Sequence, residues 1–266
     1  MITSTSNTQI KEIRSLNQRK FRKESSLFYV EGLRAIASAL ENRASVEKVV
    51  FCAELLESDF GKSLLQRAEK AGIPVLEVSR AVFESISLKE NPQGMCAVVR
   101  QNVSDLLLST TVTGLWVALE GVQDPGNLGS ILRTLDAVGG KGLILIGEGT
   151  DAFHPTSVRA STGAIFSTQL YQCEVPTFIR WKQEQTIDLI GAVCDAHHDY
   201  RDYNYAENTI LCMGSEQKGL PASLQQVCTS LVTIPMIGTV DSLNLANAAS
   251  VLLYEYFNQH HPLRKR

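Results

Sequence analysis

Three short stretches carry the polar side chains best placed for chemistry. The first, DPGNLGSILRT (124–134), brackets a polar turn with glycines and opens straight into an apolar run, with Arg133 about a turn and a half beyond Asn127. Asn127 is a candidate helix N-cap, and Gly126 lets the backbone turn tightly before it. The stretch looks like a phosphate cradle, yet its glycine spacing is not GxGxxG and no Lys-Ser/Thr pair makes it a P-loop. Taken alone, it reads equally well as a capped helix. The second stretch, MGSEQKGLP (213–221), offers Gly214 and Gly219 for close backbone approach to a ligand and sets the Glu216 carboxylate beside them. It is not the GxSxG elbow, because Ser215 follows Gly214 directly and no suitable His–acid pair accompanies it. The third, IPMIGTVDSLNLANAAS (234–250), puts Ser242 and Asn244 just before a helix whose Ala246, Ala248 and Ala249 permit close packing.

These stretches follow candidate strands. LWVALEG (115–121), NTILCMG (208–214) and LVTIP (231–235) read as strands, joined by GLILIGE (142–148) and a strand within TIDLIGAVC (186–194). Helical periodicity marks 127–139 and 245–259. Several of the strands are continuously apolar, as in a parallel sheet covered on both faces. The expectation is a doubly wound α/β domain over 106–266, with ligands beyond the C-terminal ends of its strands. Residues 1–105 alternate helix and strand on a smaller scale. A helical stretch over 7–24 is followed by FYVEG, LRAIASALE, VEKVVFC, SLLQRAEKAG, IPVLEVS, RAVFESIS and GMCAVVR, which implies a separate α/β domain.

Composition narrows the function classes. The 266 residues are 44% hydrophobic and 20% charged, ordinary for a globular protein. No apolar run approaches the roughly 20 residues needed to span a bilayer. The N-terminus lacks a signal-peptide core, so a cytoplasmic protein is expected. The six cysteines are scattered without a CxxC pair, and three lie in the apolar runs VVFC, AVC and ILCMG, which reads as buried reduced thiols. His197 and His198 are adjacent and point apart, so no metal site is expected. The net charge of −3 hides an asymmetry. Residues 1–34 carry seven basic and three acidic side chains, a net of +4, against −7 for the remainder. That basic face reads either as a polyanion site or as a solvated helix surface.

Together, in this order, the three stretches resemble the motifs of the SpoU (TrmH-type) branch of the SPOUT RNA methyltransferases. The first motif corresponds to Asn127, Gly129, Arg133 and Thr134. The second corresponds to Gly214, Ser215, Glu216, Gly219 and Leu220, and the third to Ile234, Pro235, Met236, Gly238, Ser242, Leu243 and Asn244. VRASTGAIF (158–166) is similar to a further family segment. NTQIKEIRSL and FYVEGLRAI resemble the substrate-binding domain attached to many members, so the likeness covers essentially the whole chain. Two departures stand out: Gln217-Lys218 where Gly and a variable residue are usual, and NLANAAS where NVSVAAG is more typical.

The resemblance implies methyl transfer from S-adenosylmethionine to a ribose 2′-hydroxyl of RNA, on a mostly parallel sheet with a trefoil-knotted C-terminus and a homodimer through the C-terminal domain. It implies Arg133 as the catalytic arginine, with Asn127, Glu216, Ser242 and Asn244 completing the polar wall. Arginine is too basic for an ordinary free base, so its role is to position the hydroxyl and stabilise oxyanion charge. Cofactor contacts map onto Met213, Gly214, Gly219, Ile234, Met236 and Leu243. Lys11, Arg14, Arg19, Lys20, Arg22, Lys23 and Arg159 are the expected RNA phosphate contacts. Ribosomal RNA, 23S above all, is favoured over tRNA, and neither a membrane nor a metal is implied. The rivals are a tRNA or antibiotic-resistance methyltransferase, a non-catalytic RNA-binding homologue and a nucleotide-dependent metabolic enzyme. The last lacks the acidic residue expected after the second strand.

Overall fold

Apolar residues at helical spacing between Thr8 and Ser25 build two helices where periodicity alone reads as one. The computed structural model describes residues 1–261. Helix α1 (Thr8–Ser15) starts at Asn7, whose side chain accepts from the Gln9 amide at 2.9 Å. Helix α2 (Arg19–Ser25) follows a break at Leu16, whose carbonyl accepts from the Arg22 guanidinium at 2.7 Å instead of continuing the helix.

The chain divides into two compact units, residues 1–101 with 151–167, and residues 102–150 with the chain from 168 onward. In the first, β1 (Leu27–Glu31), α3 (Leu33–Glu41), β2 (Val46–Phe51), α4 (Asp59–Lys70), β3 (Val75–Glu77), α5 (Arg80–Ile86) and β4 (Met95–Arg100) follow in order. The four strands lie as β1-β4-β2-β3, with β4 antiparallel to both neighbours and β3 parallel to β2. Ile10 and Ile13 of α1 and Val82 and Phe83 of α5 join Val50 and Val98 of the sheet in one buried cluster.

The second unit begins with β5 (Ser104–Asp105), β6 (Leu115–Glu120), α6 (Pro125–Ala137) and β7 (Gly142–Ile146). The chain then enters the first unit as residues 151–167, which contain α7 (Pro155–Ser161) and a 3-10 turn (Ala164–Phe166). Phe153 and Phe166 pack on Phe28 at ring-centroid distances of 4.7 and 6.0 Å. The Ser38 hydroxyl donates to the Gly163 carbonyl at 2.9 Å.

Back in the second unit come β8 (Gln169–Cys173), α8 (Val175–Gln183), β9 (Asp188–Ala192), β10 (His198–Asp199), β11 (Thr209–Met213), α9 (Ala222–Gln225), β12 (Ser230–Thr233) and α10 (Leu245–His260). Its eight strands lie as β10-β12-β9-β11-β6-β7-β8-β5, and every pairing is parallel. All five residues of β11 and the first five of β6 are buried, as central strands covered on both faces require. Strand β11 slots between β6 and β9 after both are laid down, and α10 then returns to pack on α6 and β11. The six cysteines are free. Cys194, expected to be buried within its apolar run, is exposed because β9 ends at Ala192 and leaves it beyond the strand.

Candidate active site

Strands β6, β11, β9 and β12 are neighbours running the same way, so their C-terminal ends share one sheet edge. Met213 lies opposite Leu119, and Val232 opposite Ala192. The loops after β6, β11 and β12, which carry the three polar stretches, therefore converge by topology alone.

Asn127 is not the cap of α6. Asp124 holds that place, accepting from the Asn127 amide at 2.7 Å, with Pro125 at the first helical position where its missing N–H costs nothing. Gly126 thus lies in the first turn of α6, without a positive φ. Relieved of capping, the Asn127 side chain donates from Nδ2 to Glu216 Oε1 at 2.8 Å and accepts at Oδ1 from Asn244 Nδ2 at 3.0 Å. Asn244 in turn caps α10, its Oδ1 accepting from the amides of Ala246 and Asn247 at 3.0 and 3.3 Å. Glu216 Oε2 accepts from the Gln123 amide at 3.4 Å. Each amide's orientation is fixed by its neighbours in this line, which ties all three loops together. One hydrogen bond lower, Thr134 of α6 meets Ser250 of α10, hydroxyl to hydroxyl, at 3.1 Å.

The loop after β11 is a tight turn. The Gly219 amide donates to the Ser215 carbonyl at 2.9 Å, and the Lys218 amide to the Ser215 hydroxyl at 3.2 Å. A Cβ on Gly214 would overlap the Gly219 carbonyl and the Leu220 amide, so only glycine closes this turn. Gln217 and Lys218 occupy its exposed tip. Glu120, at the end of β6, was not singled out from the sequence. Burial pushes its carboxyl above the ordinary range, with the Lys218 ammonium opposing. An acidic residue closing an apolar strand was the available signal.

The remaining expected site residues are not all drawn in. Arg133 is exposed on α6, about 120° round the helix from Asn127, and has no hydrogen bond or ion pair among the described residues. Ser242 is likewise exposed and unbonded. Met213 and Gly214 are buried at the end of β11, Ile234 and Met236 are half-buried, and Gly219 and Leu243 are exposed. Of the basic residues, Lys11, Arg19, Lys20, Lys23 and Arg159 are exposed. Arg14 is tied down, donating to the Ser85 carbonyl and hydroxyl at 3.2 and 2.9 Å. Arg22 is withdrawn altogether. It is 1% exposed and paired to Asp151 at 2.8 Å, so its guanidinium is an internal strut and not a phosphate contact.

Residues 114–254 match the SpoU rRNA Methylase family, and residues 7–97 match the MRM3-like substrate binding domain. The chain belongs to the SpoU rRNA methylase family. Among relatives of this SpoU methylase, the 23S rRNA (uridine(2479)-2'-O)-methyltransferase of Streptomyces viridochromogenes is 32% identical, over 92% of this chain and 87% of its own. The 23S rRNA (guanosine(2553)-2'-O)-methyltransferase RlmP of Bacillus subtilis (strain 168) is 28% identical over 95% of this chain and 97% of its own. The AdoMet-bound rRNA methyltransferase structure from Sinorhizobium meliloti superposes with a TM-score of 0.88 at 34% identity, covering 98% of this chain and 97% of that one. The Glu216–Asn127–Asn244 line thus joins the loops within a SpoU domain.

Proposed function

We propose that this SpoU methylase transfers a methyl group from S-adenosylmethionine to a ribose 2′-hydroxyl of 23S rRNA. The observation that carries the reading is the Glu216–Asn127–Asn244 line, which unites three loops at one edge of a parallel sheet. The cofactor would supply an activated methyl on a sulfonium centre. The chain has what a nucleoside-containing ligand needs. Residues 234–243 carry no hydrogen bond among the described residues, so their amides and carbonyls are free to grip adenine and ribose. The Gly214–Gly219 turn supports them from the adjoining strand.

A ribose hydroxyl is a weak nucleophile, so the residues must align it and ease departure of its proton. The second amide hydrogens of Asn127 and Asn244 hold the ribose oxygens, while the Glu216 carboxylate fixes Asn127. Arg133, unpaired on the surface of α6, holds the adjacent phosphate and stabilises charge developing on the oxygen. Ser242 adds a hydroxyl to the same wall. In this reading residues 1–105 hold RNA through Lys11, Arg19, Lys20 and Lys23, with Arg159 as a further phosphate contact, and residues 106–266 carry the methyl-transfer chemistry. A homodimer through the C-terminal domain covers the exposed apolar Ile237, Val240 and Tyr254. An rRNA substrate implies action in the cytoplasm.

The test is methylation in vitro with labelled S-adenosylmethionine, 23S rRNA and bulk tRNA as separate acceptors, followed by alkaline hydrolysis. An alkali-resistant dinucleotide from 23S rRNA supports the reading. Label confined to tRNA, or carried on a base, overturns it.

A further inference from the structure

The first unit holds a cavity of about 310 Å³ that the methyl-transfer residues do not line. Its walls include Tyr29 and Glu31 of β1, Leu88 and Lys89 of the loop after α5, His154, and Arg159 of α7. The wall is built, not incidental. Glu31 accepts from the Ser87 hydroxyl at 2.6 Å and from the Leu88 amide at 2.8 Å, and the Lys89 amide donates to the Ser87 hydroxyl at 3.1 Å. Gly32, at φ +113°, leaves the space into which the Lys89 ammonium folds, 3.1 Å from where a Cβ would stand. A larger residue there would be strained and would push the cation away.

The electrostatics of the cavity favour an anion with a polar ring system. Lys89 and Arg159 have no ion pair among the described residues, while the Glu31 carboxylate is engaged by the loop it pins. His154 Nδ1 accepts from the Thr156 amide at 3.2 Å, which leaves Nε2 as the donor of the neutral ring. Burial and the Arg22 guanidinium together hold its pKa below the usual histidine value. The Tyr29 hydroxyl is buried without a hydrogen-bond partner. Burial above all, and then Cys96 and Glu31 beside it, raise its pKa, yet neither neighbour meets hydrogen-bond geometry. A buried orphan hydroxyl in a folded protein calls for an explanation, and a ligand in the adjoining cavity is one.

We propose that this cavity receives one unstacked nucleotide of the RNA substrate, its base against the His154 and Leu88 wall and its phosphates on Lys89 and Arg159. The volume sits at the lower end of small-ligand pockets, about 300–1,000 Å³, which suits one nucleotide and excludes a duplex. Aromatic faces with cations beside them are how single-stranded bases are held, and base edges then meet side-chain donors and acceptors. The inference deepens the RNA reading and rests on it. Its consequence is that the first unit selects RNA by an extruded nucleotide as well as by charge, which sets the register of the strand.

The test uses the full chain and two RNA hairpins, one with a single bulged 2-aminopurine nucleotide and one with the same base paired in the stem. Binding is followed by anisotropy and by 2-aminopurine fluorescence, and S-adenosylmethionine binding by calorimetry. The bulged hairpin is expected to bind at least tenfold tighter, with a change in fluorescence. Lys89→Ala, and Thr156→Trp to fill the cavity, should each remove most of that preference while paired-hairpin and cofactor binding stay unchanged. Unaltered thermal melts and cofactor affinity show that the variants are folded. Equal binding of the two hairpins, or a preference that both variants retain, overturns the nucleotide site and leaves the RNA reading standing. Failure to bind either hairpin while cofactor binds sinks the RNA reading of this unit and the proposal with it. Displacement of the hairpin by free AMP or UMP at similar concentration would make the cavity a mononucleotide site and overturn the commitment to RNA.

Discussion

Asn127 is the residue on which the three loops depend, since it donates to Glu216 and accepts from Asn244. Asn127→Ala leaves both partners without their mutual anchor. Single-turnover methylation is expected to slow by about 10²-fold, in line with the loss of one preorganised donor. An unchanged rate would remove Asn127 from the site. Arg133→Ala is expected to abolish turnover to a similar or greater degree while calorimetry finds S-adenosylmethionine affinity unchanged, because the proposed cofactor contacts lie in residues 234–243 and the Gly214–Gly219 turn and not on the exposed face of α6 that carries Arg133. Loss of cofactor affinity with turnover intact at saturation would reverse that assignment. The residue types were legible in the sequence because their spacing is short-range and fixed. The duty of Asn127 was not. A cap at Asp124 and a cap at Asn127 fit the same string DPGN, and only the position of Pro125 at the helix start separates them. Arg22 misled for a related reason: a basic residue among lysines looks solvated until its partner, 129 residues away, is known.

Glycines divide the labour in the turn after β11. Gly214→Ala places a methyl group on the backbone of Gly219 and Leu220, so the turn must open. Gly219→Ala meets open space and suffers only from its φ of +65°, a cost of about 1 kcal/mol. The expected order in cofactor affinity is therefore wild type, then Gly219→Ala, then Gly214→Ala with a loss of tenfold or more, all by calorimetry. The reverse order would mean that backbone strain outweighs the clash. At the head of α7, His154 caps with a neutral ring, and its pKa is lowered by burial and by Arg22. The folded state then binds fewer protons than the unfolded chain, whose histidine titrates near ~6.5. This contribution is complete above that value and is lost as pH falls toward the lowered folded pKa. The melting-temperature drop between about pH 7.5 and pH 5.5 should shrink in His154→Asn, which keeps a capping oxygen and does not titrate. An equal drop in both proteins would exclude His154 as its source. Most helices and strands of both units were readable from period and capping residues. Edge strands β5 and β10, two residues each, leave no pattern to read.

At the scale of the whole chain, the first unit is completed from a distance. Residues 151–167 supply Phe153 and Phe166 to the face of Phe28, the Gly163 carbonyl to Ser38, and Asp151 to the buried Arg22. Nothing local in 1–101 announces this, because contacts spanning more than a hundred residues leave no periodicity in either partner. The energetic weight falls on the ion pair. Arg22 is 1% exposed and also holds the Leu16 carbonyl at the break between α1 and α2. Removing one partner of such a buried pair leaves an uncompensated charge, at a cost of about 3–5 kcal/mol. Asp151→Ala in the full chain is therefore expected to lower the melting temperature of the first unit sharply. Arg22→Met with Asp151→Leu, which removes both charges, should recover much of the loss. A fragment of residues 1–105 lacks the pair's acidic half and exposes Phe28, so it should bind ANS and melt without a cooperative transition. Adding the 151–167 segment back through a flexible linker after residue 105 should restore cooperativity. A fragment that already melts as sharply as the first unit in the intact chain would mean that the segment merely decorates the fold, and that Arg22 finds solvent or another partner without penalty.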